Sequence, residues 1–299
     1  MATRKVRSIL AASDFSAHGA RAVKRAGLLA EALQSRLEVL HVVDAPLARA
    51  GEVFGMRTAR AASVKAARRK LAAVVGPLRR PGRSQVTGRL AVGAAHKEIA
   101  RATGPSQLLV LGARGRSPLR DALLGSTAER LVQTGRAPML VVKKHASRPY
   151  REVVVAFDFS ADAEAALEMA LRLAPDANVT LVHAYDVPFE GMAWRGAVPE
   201  RQRERLRIHA RTDALAKMHA TIAGLGKRAA RVQSVVARGY PPRVVLDAAE
   251  RRGADLIAVG KQGRTALEHL LLGSLTRHVL ADARCDVLVS RVRTSAGAR

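Results

Sequence analysis

A pattern of three glycines and a serine occurs twice in this chain, and one constant interval separates the two copies. Gly112-Ala113-Arg114-Gly115 is followed by nine residues and then Gly125-Ser126-Thr127; Gly260-Lys261-Gln262-Gly263 is followed by nine residues and then Gly273-Ser274-Leu275. Gly112, Gly115, Gly125 and Ser126 each precede their counterparts by 148 residues, which marks an internal duplication. Each pattern begins where a short apolar run ends, Leu108–Leu111 or Leu256–Val259. Glycine directly after a buried strand permits a tight turn and close backbone approach, and the exposed N–H groups beside a helix N-terminus attract phosphate. Such a site lies at the carboxyl end of a parallel sheet. Ser126 or Ser274 could add a hydroxyl to it. A reading without ligand also exists, because Ser126-Thr127-Ala128-Glu129 fits a capping box and Gly125-Ser126 would then merely start a helix.

The rest of the chain repeats with the loop. Val6–Ala12 and Val153–Phe157 are near-continuous apolar runs, as expected of buried parallel strands, and both lead into Asp-Phe-Ser, at residues 14–16 and 158–160. Helical patterns follow, with Ser16 and Ser160 as N-caps. Further strands are expected at Leu37–Val43 and Val179–Tyr185, ending at Asp44 and Asp186, then at Ser84–Leu90 and Val232–Ala237, and last at Met139–Lys143 and Val287–Ser290. Residues 45–80 and 187–228 read as a loop and a long basic helix. Five strands alternating with helices, twice over, specify an α/β fold of two tandem doubly wound five-stranded parallel-sheet domains, expected at 1–147 and 148–299.

Composition narrows the functional classes. The chain has 299 residues, enough for two ordinary cores, and one cysteine, Cys285, which excludes an intramolecular disulfide and argues against a cysteine-based zinc site. A cytoplasmic setting is expected, with no membrane segment, since no uncharged apolar run approaches the roughly 18–20 residues a span requires. The net charge of +26 is uneven: residues 1–149 hold 28 basic and 8 acidic residues, and residues 150–299 hold 23 and 17. Such a surface attracts polyanions non-specifically. Specific nucleic-acid recognition is not expected, because 9 aromatic residues leave little for base stacking and no zinc-finger, RNP or basic-zipper pattern occurs.

The Asp-Phe-Ser openings, His41-Val42-Val43-Asp44, the paired G-x2-G-x9-G-[ST] loops and the run from Gly263 to Ser274 together resemble the universal stress protein family in its tandem form, over nearly the whole chain. The resemblance implies the adenine-nucleotide alpha-hydrolase-like fold of that family and, since both halves carry the glycine loop, its ATP-binding class. It further implies that Asp14 and Asp158 contact ribose hydroxyls and that the backbone of Val42 and Ala184 meets the adenine edge. Gly112, Gly115, Gly125, Ser126 and Thr127 would surround the phosphates in the first copy, and Gly260, Gly263, Gly273, Ser274 and Leu275 in the second. The cofactor implied is ATP, with or without Mg²⁺. A dimer-like contact through the last strands is also implied, met within the chain by Met139–Lys143 against Val287–Ser290; association of two chains is left open. Two positions depart from the family pattern: Gln107 stands where the second copy has Asp255, and Asp286 stands where the first copy has Pro138. Arg114 and Lys261, inside the loop turns, would either reach phosphate or point to solvent.

Rapid ATP turnover needs metal ligands, a group that positions water, and charge stabilisation at the transferring phosphoryl. The sequence has no G-x4-G-K-[ST] and no paired carboxylates beside the loops. His41 and His183 fall within strands and read as packing residues, and Cys285 reads as a small buried hydrophobe. No catalytic residue and no metal ligand is assigned. The expected function is nucleotide-dependent regulation in a stress response, with slow or no hydrolysis. The alternatives are a weak ATPase or autokinase, and a basic polyanion-binding or architectural protein.

Overall fold

The computed structural model describes residues 6–44, 57–79, 85–104, 107–115, 124–185, 199–263 and 272–292. Asp186 and the run 264–271 lie outside the described residues. In the first copy the elements are β1 (Ser8–Ala12), α1 (Ala17–Leu33), β2 (Arg36–Asp44), α2 (Arg57–Val75), β3 (Val86–Gly93), α3 (Ala95–Ala102), β4 (Leu108–Gly112), α4 (Ser126–Thr134) and β5 (Met139–Val142). The second copy repeats them as β6 (Glu152–Ala156), α5 (Ala161–Leu173), β7 (Asn178–Tyr185), α6 (Glu200–Ala223), β8 (Val232–Arg238), α7 (Pro241–Arg251), β9 (Leu256–Gly260), α8 (Ser274–Asp282) and β10 (Asp286–Ser290).

The apolar runs become parallel strands because both faces of the sheet are covered. One face holds Ile9, Ala11, Leu37, Val39, Leu108 and Val110 against α1 and α2, and continues through Val153, Val155 and Leu181 against α5 and α6. The other holds Leu10, Leu40, Leu109 and Leu111 against α3 and α4, and continues through Val154 and Ile257 against α7 and α8. Alternate residues of each strand therefore enter two cores, as a period of two requires. Among the described residues, no helix is long and apolar enough to cross a membrane.

The two copies share one sheet of ten strands, in the order β3-β2-β1-β4-β5-β10-β9-β6-β7-β8. Each half is parallel, and the seam is antiparallel, pairing Val287 with Val141, Leu288 with Leu140 and Val289 with Met139. The expected approach of the last strands is thus present as direct ladder pairing, which removes an exposed edge from both halves.

Asp286 anchors that seam. Its side chain is fully buried and accepts from Arg25 Nε at 3.2 Å, the Tyr150 hydroxyl at 2.8 Å, and the backbone N–H groups of Lys143 and Lys144 at 2.9 and 3.1 Å. Arg25 also donates to the Arg148 carbonyl at 2.8 Å and lies 4.0 Å over the Tyr150 ring. Burial, reinforced by Asp286, pushes the Tyr150 hydroxyl pKa well up, so the phenol remains a donor. The departure from proline at this position supplies the carboxylate that joins the copies.

Candidate functional site

Within the first copy, strand order reverses between β1 and β4, and the carboxyl ends of neighbouring strands part there. A cleft of about 290 Å³ opens at that point. Asp14, Val42, Gly112, Gly115, Gly125, Ser126 and Thr127 all line it, together with Arg114 and the apolar side chains of Leu40, Ala95, Ile99, Leu111 and Leu131. The apolar residues of β2 and α3 lie on one side of Asp14 in the strand order, and the glycine loop after β4 lies on the other.

A sharp turn places the aspartate. Phe15 and Phe159 adopt left-handed φ angles of 61° and 63°, which cost a non-glycine residue about 1–3 kcal/mol and must be held by the surroundings. Phe15 stacks on His41 at 4.0 Å, and Phe159 packs on His183 at 4.7 Å. Each histidine donates from Nδ1 to a carbonyl at 2.7 Å, that of Ser13 or Phe157. These histidines support the turn, as their packing role requires. Asp14 Oδ1 accepts the Ser16 N–H at 3.0 Å, and Asp158 Oδ1 does the same with Ser160. The other oxygen, Oδ2, faces the glycine loop in each copy, so that a Cβ on Gly115 would stand 3.1 Å from Asp14 Oδ2 and one on Gly263 only 2.8 Å from Asp158 Oδ2.

Gly112 and Gly260 are needed for a different reason. A Cβ on Gly112 would meet the backbone of His18 at 2.7 Å, and one on Gly260 would meet that of Asp162 at 2.9 Å, so strand end and helix start are in direct backbone contact. The loop then closes on itself, with Gly125 N–H donating to the Ala113 carbonyl at 2.8 Å and Gly273 N–H to Lys261 at 3.1 Å. Gly125 and Gly273 are the N-caps of α4 and α8, without side-chain capping bonds. A helix does start at Gly125-Ser126, but the capping-box register is corrected: Gly125 is the N-cap, and Ser126 is the first helical residue and lines the cleft. Ser16 and Ser160 do cap α1 and α5, accepting the N–H of Gly19 at 3.1 Å and of Ala163 at 3.2 Å.

Lys261 takes neither course open to it in the sequence. Its side chain is 4% exposed and crosses the seam, donating to the Gln133 carbonyl and, at 3.3 Å, to the Gly135 carbonyl at the C-terminal end of α4. Burial, aided by Arg291 and opposed by Asp162, lowers its pKa to about 8. Lys143 makes the reciprocal contact, donating to the Ala283 carbonyl at 2.7 Å beyond the end of α8, and burial lowers its pKa as well. Both ammonium groups meet the negative end of a helix dipole. Arg114 is exposed on the wall of the first cleft.

Residues that sequence reasoning missed are His18 and Asp162. His18 Nδ1 is buried without a hydrogen-bond partner, and burial, followed by Arg21 and Arg114, lowers its pKa against the opposing pull of Asp14. Asp162 accepts the Gln262 N–H at 3.1 Å and the Val292 N–H at 2.7 Å. The signal available was their shared place four residues after Asp14 and Asp158. Ala184 and the Gly263, Gly273, Ser274, Leu275 set occupy corresponding positions in the second copy, at the end of β7 and around the start of α8. Cys285 is buried, and that burial pushes its thiol up to about 12, which agrees with a packing role. No group of three or more His, Cys, Asp or Glu side chains placed to hold a metal occurs among the described residues.

A doubly wound α/β fold with a glycine loop and a carboxylate at the carboxyl edge of the sheet in each half defines a class of tandem two-domain α/β proteins. The universal stress protein family model matches residues 5–143 and 149–291, and the chain belongs to that family. Among its relatives, Universal stress protein MJ0531 of Methanocaldococcus jannaschii is 32% identical over 143 residues, 47% of this chain and 81% of that protein. Universal stress protein Rv1996 of Mycobacterium tuberculosis is 28% identical over 223 residues, 70% of this chain and 66% of that protein. A crystal structure of a universal stress protein from Archaeoglobus fulgidus superposes with a TM-score of 0.70 at 20% identity, covering 95% of this chain and 98% of that one, a likeness of fold.

Proposed function

We propose that this chain binds ATP at the carboxyl edge of its sheet and that the bound nucleotide sets conformation or partner choice in a stress response. The observation that carries the proposal is the convergence of Asp14, Val42 and the loop glycines on one cleft. In this reading the Asp14 carboxylate accepts from ribose hydroxyls through Oδ2, because Oδ1 is committed to the turn. The adenine edge meets the backbone of Val42 against the apolar wall of Leu40, Ala95 and Ile99. The phosphates take the N–H groups of Arg114 and Gly115, those of Ser126 and Thr127 at the start of α4, the Ser126 hydroxyl and the positive end of the helix dipole, while Gly112 and Gly125 give close backbone approach, the N–H groups of Ala113 and Gly125 being committed to the Val142 and Ala113 carbonyls. Arg114 adds a charge-assisted donor. Asp158, Ala184, Gly260, Gly263, Gly273, Ser274 and Leu275 have the same roles in the second unit, with the units divided at 147/148.

The loop residues present fit such a ligand, since Gly115 leaves open the space above Asp14 that a Cβ would fill. The polar groups assigned to the phosphates are amides, hydroxyls and one guanidinium, which bind and orient. Mg²⁺ would join as part of the nucleotide complex and neutralise phosphate charge. Differential affinity for two conformations gives the signal, so slow or absent hydrolysis suits the role. Incubating the purified protein with ATP and Mg²⁺ for hours tests this directly: ATP should survive bound, whereas steady multiple turnovers would establish an ATPase. A Gly125→Asp, Gly273→Asp double variant should lose ATP while retaining salt-sensitive attraction to polyanions.

A further inference from the structure

The duplicated sites differ in the charges that meet their glycine loops. His18 and Asp162 hold the same place: each lies in the first turn of its helix, and each packs its backbone against the first loop glycine. In the second copy the Asp162 carboxylate is hydrogen-bonded into the glycine loop through the Gln262 N–H and tied to the segment after β10 through the Val292 N–H. In the first copy that loop N–H belongs to Arg114, and the facing residue is an imidazole whose Nδ1 has no partner. The second loop also carries neutral Gln262 where the first carries Arg114, and the ammonium of Lys261 is turned away toward the end of α4. Among the described residues, site one thus has the Asp14 carboxylate and the Arg114 guanidinium at its loop, whereas site two has Asp158 facing its loop and Asp162 bonded into it.

We propose that Asp162 acts as an internal anion at the second glycine loop, occupying an amide that phosphate would otherwise take, so that polyphosphate nucleotides fill site one first. This rests on the nucleotide reading above and deepens it by assigning unequal occupancy to the two sites. The discrimination is electrostatic, so it grows with the number of phosphates and is absent for the uncharged nucleoside. Asp162 is a positioning and specificity residue here, acting through the loop.

Calorimetric titration with ATP, and in parallel with adenosine, tests the assignment. The wild-type chain is expected to take one equivalent of ATP tightly and a second at least about tenfold more weakly, a gap that adenosine does not show. Asp162→Asn keeps an acceptor for one N–H while removing the charge, and is expected to bring the second ATP to within about threefold of the first. In a Gly125→Asp background, where site two is read alone, Asp162→Asn should raise ATP affinity about tenfold and leave adenosine unchanged. Two equal ATP sites in the wild-type chain, or an Asp162→Asn effect equal for ATP and adenosine, overturns the proposal and leaves the nucleotide reading standing. ATP binding at neither site, in wild type and variant alike, overturns both. Should Asp162→Asn not fold, the wild-type comparison of ATP with adenosine still decides: an equal gap for the two ligands contradicts an electrostatic cause.

Discussion

At the scale of single residues, the site depends on a carboxylate held by a strained neighbour. Phe15 and Phe159 share a left-handed backbone, and their rings rest on His41 and His183, so the same device turns Asp14 and Asp158 toward the loops. Replacing Asp14 by Ala removes a charged acceptor from the proposed ribose contact and should weaken ATP binding by about 1.5–3 kcal/mol, measured by calorimetry with the fold checked by circular dichroism. The loop glycines and both aspartates were legible in the sequence because spacing repeats them. The destination of Lys261 was not, since its acceptors, the Gln133 and Gly135 carbonyls, lie some 126–128 residues earlier and meet it only through the shared sheet. Asp162 was overlooked for a related reason: an acidic residue in a first helical turn is ordinary, and only its bonds to Gln262 and Val292 make it distinctive.

At the scale of elements, near-continuous apolar runs announced the inner strands, because a parallel strand buried on both faces leaves little room for polar residues, whereas the edge strands β3 and β8 mix polar residues in and are partly exposed. Helix starts were less uniform. Ser16 and Ser160 cap as their sequence suggests, and each Ser→Ala change should cost about 1 kcal/mol of unfolding free energy, read from urea denaturation. At α4 the start lies one residue earlier than the capping box implies, on Gly125, because the loop must bring Gly125 N–H to the Ala113 carbonyl. That displacement of one residue puts Ser126 inside the first helical turn, on the wall of the cleft.

At the scale of the whole molecule, the seam makes two copies into one body. Pairing of the last strands was visible in the family resemblance, but its charged centre was not, because Arg25, Tyr150 and Asp286 are far apart in sequence. Asp286→Ala strands a buried guanidinium and should destabilise the chain by about 3–5 kcal/mol in denaturant unfolding. Lys261 adds a pH dependence of definite sign. Its folded pKa of about 8 lies below the ordinary 10.5, so between these values the unfolded chain binds more protons and this group makes stability rise with pH. Lys143 is shifted in the same direction. Comparing wild type with Lys261→Met from pH 8 to 10 should show a smaller rise in the variant; an equal rise would remove Lys261 as its source. The uneven charge, +20 on residues 1–149 and +6 on 150–299, favours anion approach to the first copy. The most direct measurement is native mass spectrometry of the freshly purified chain after ATP addition, with the released ligand identified, beside the Gly125→Asp, Gly273→Asp variant. The account predicts an intact adenine nucleotide on the wild-type chain and none on the variant; equal loading of both, or no nucleotide on either, would contradict it.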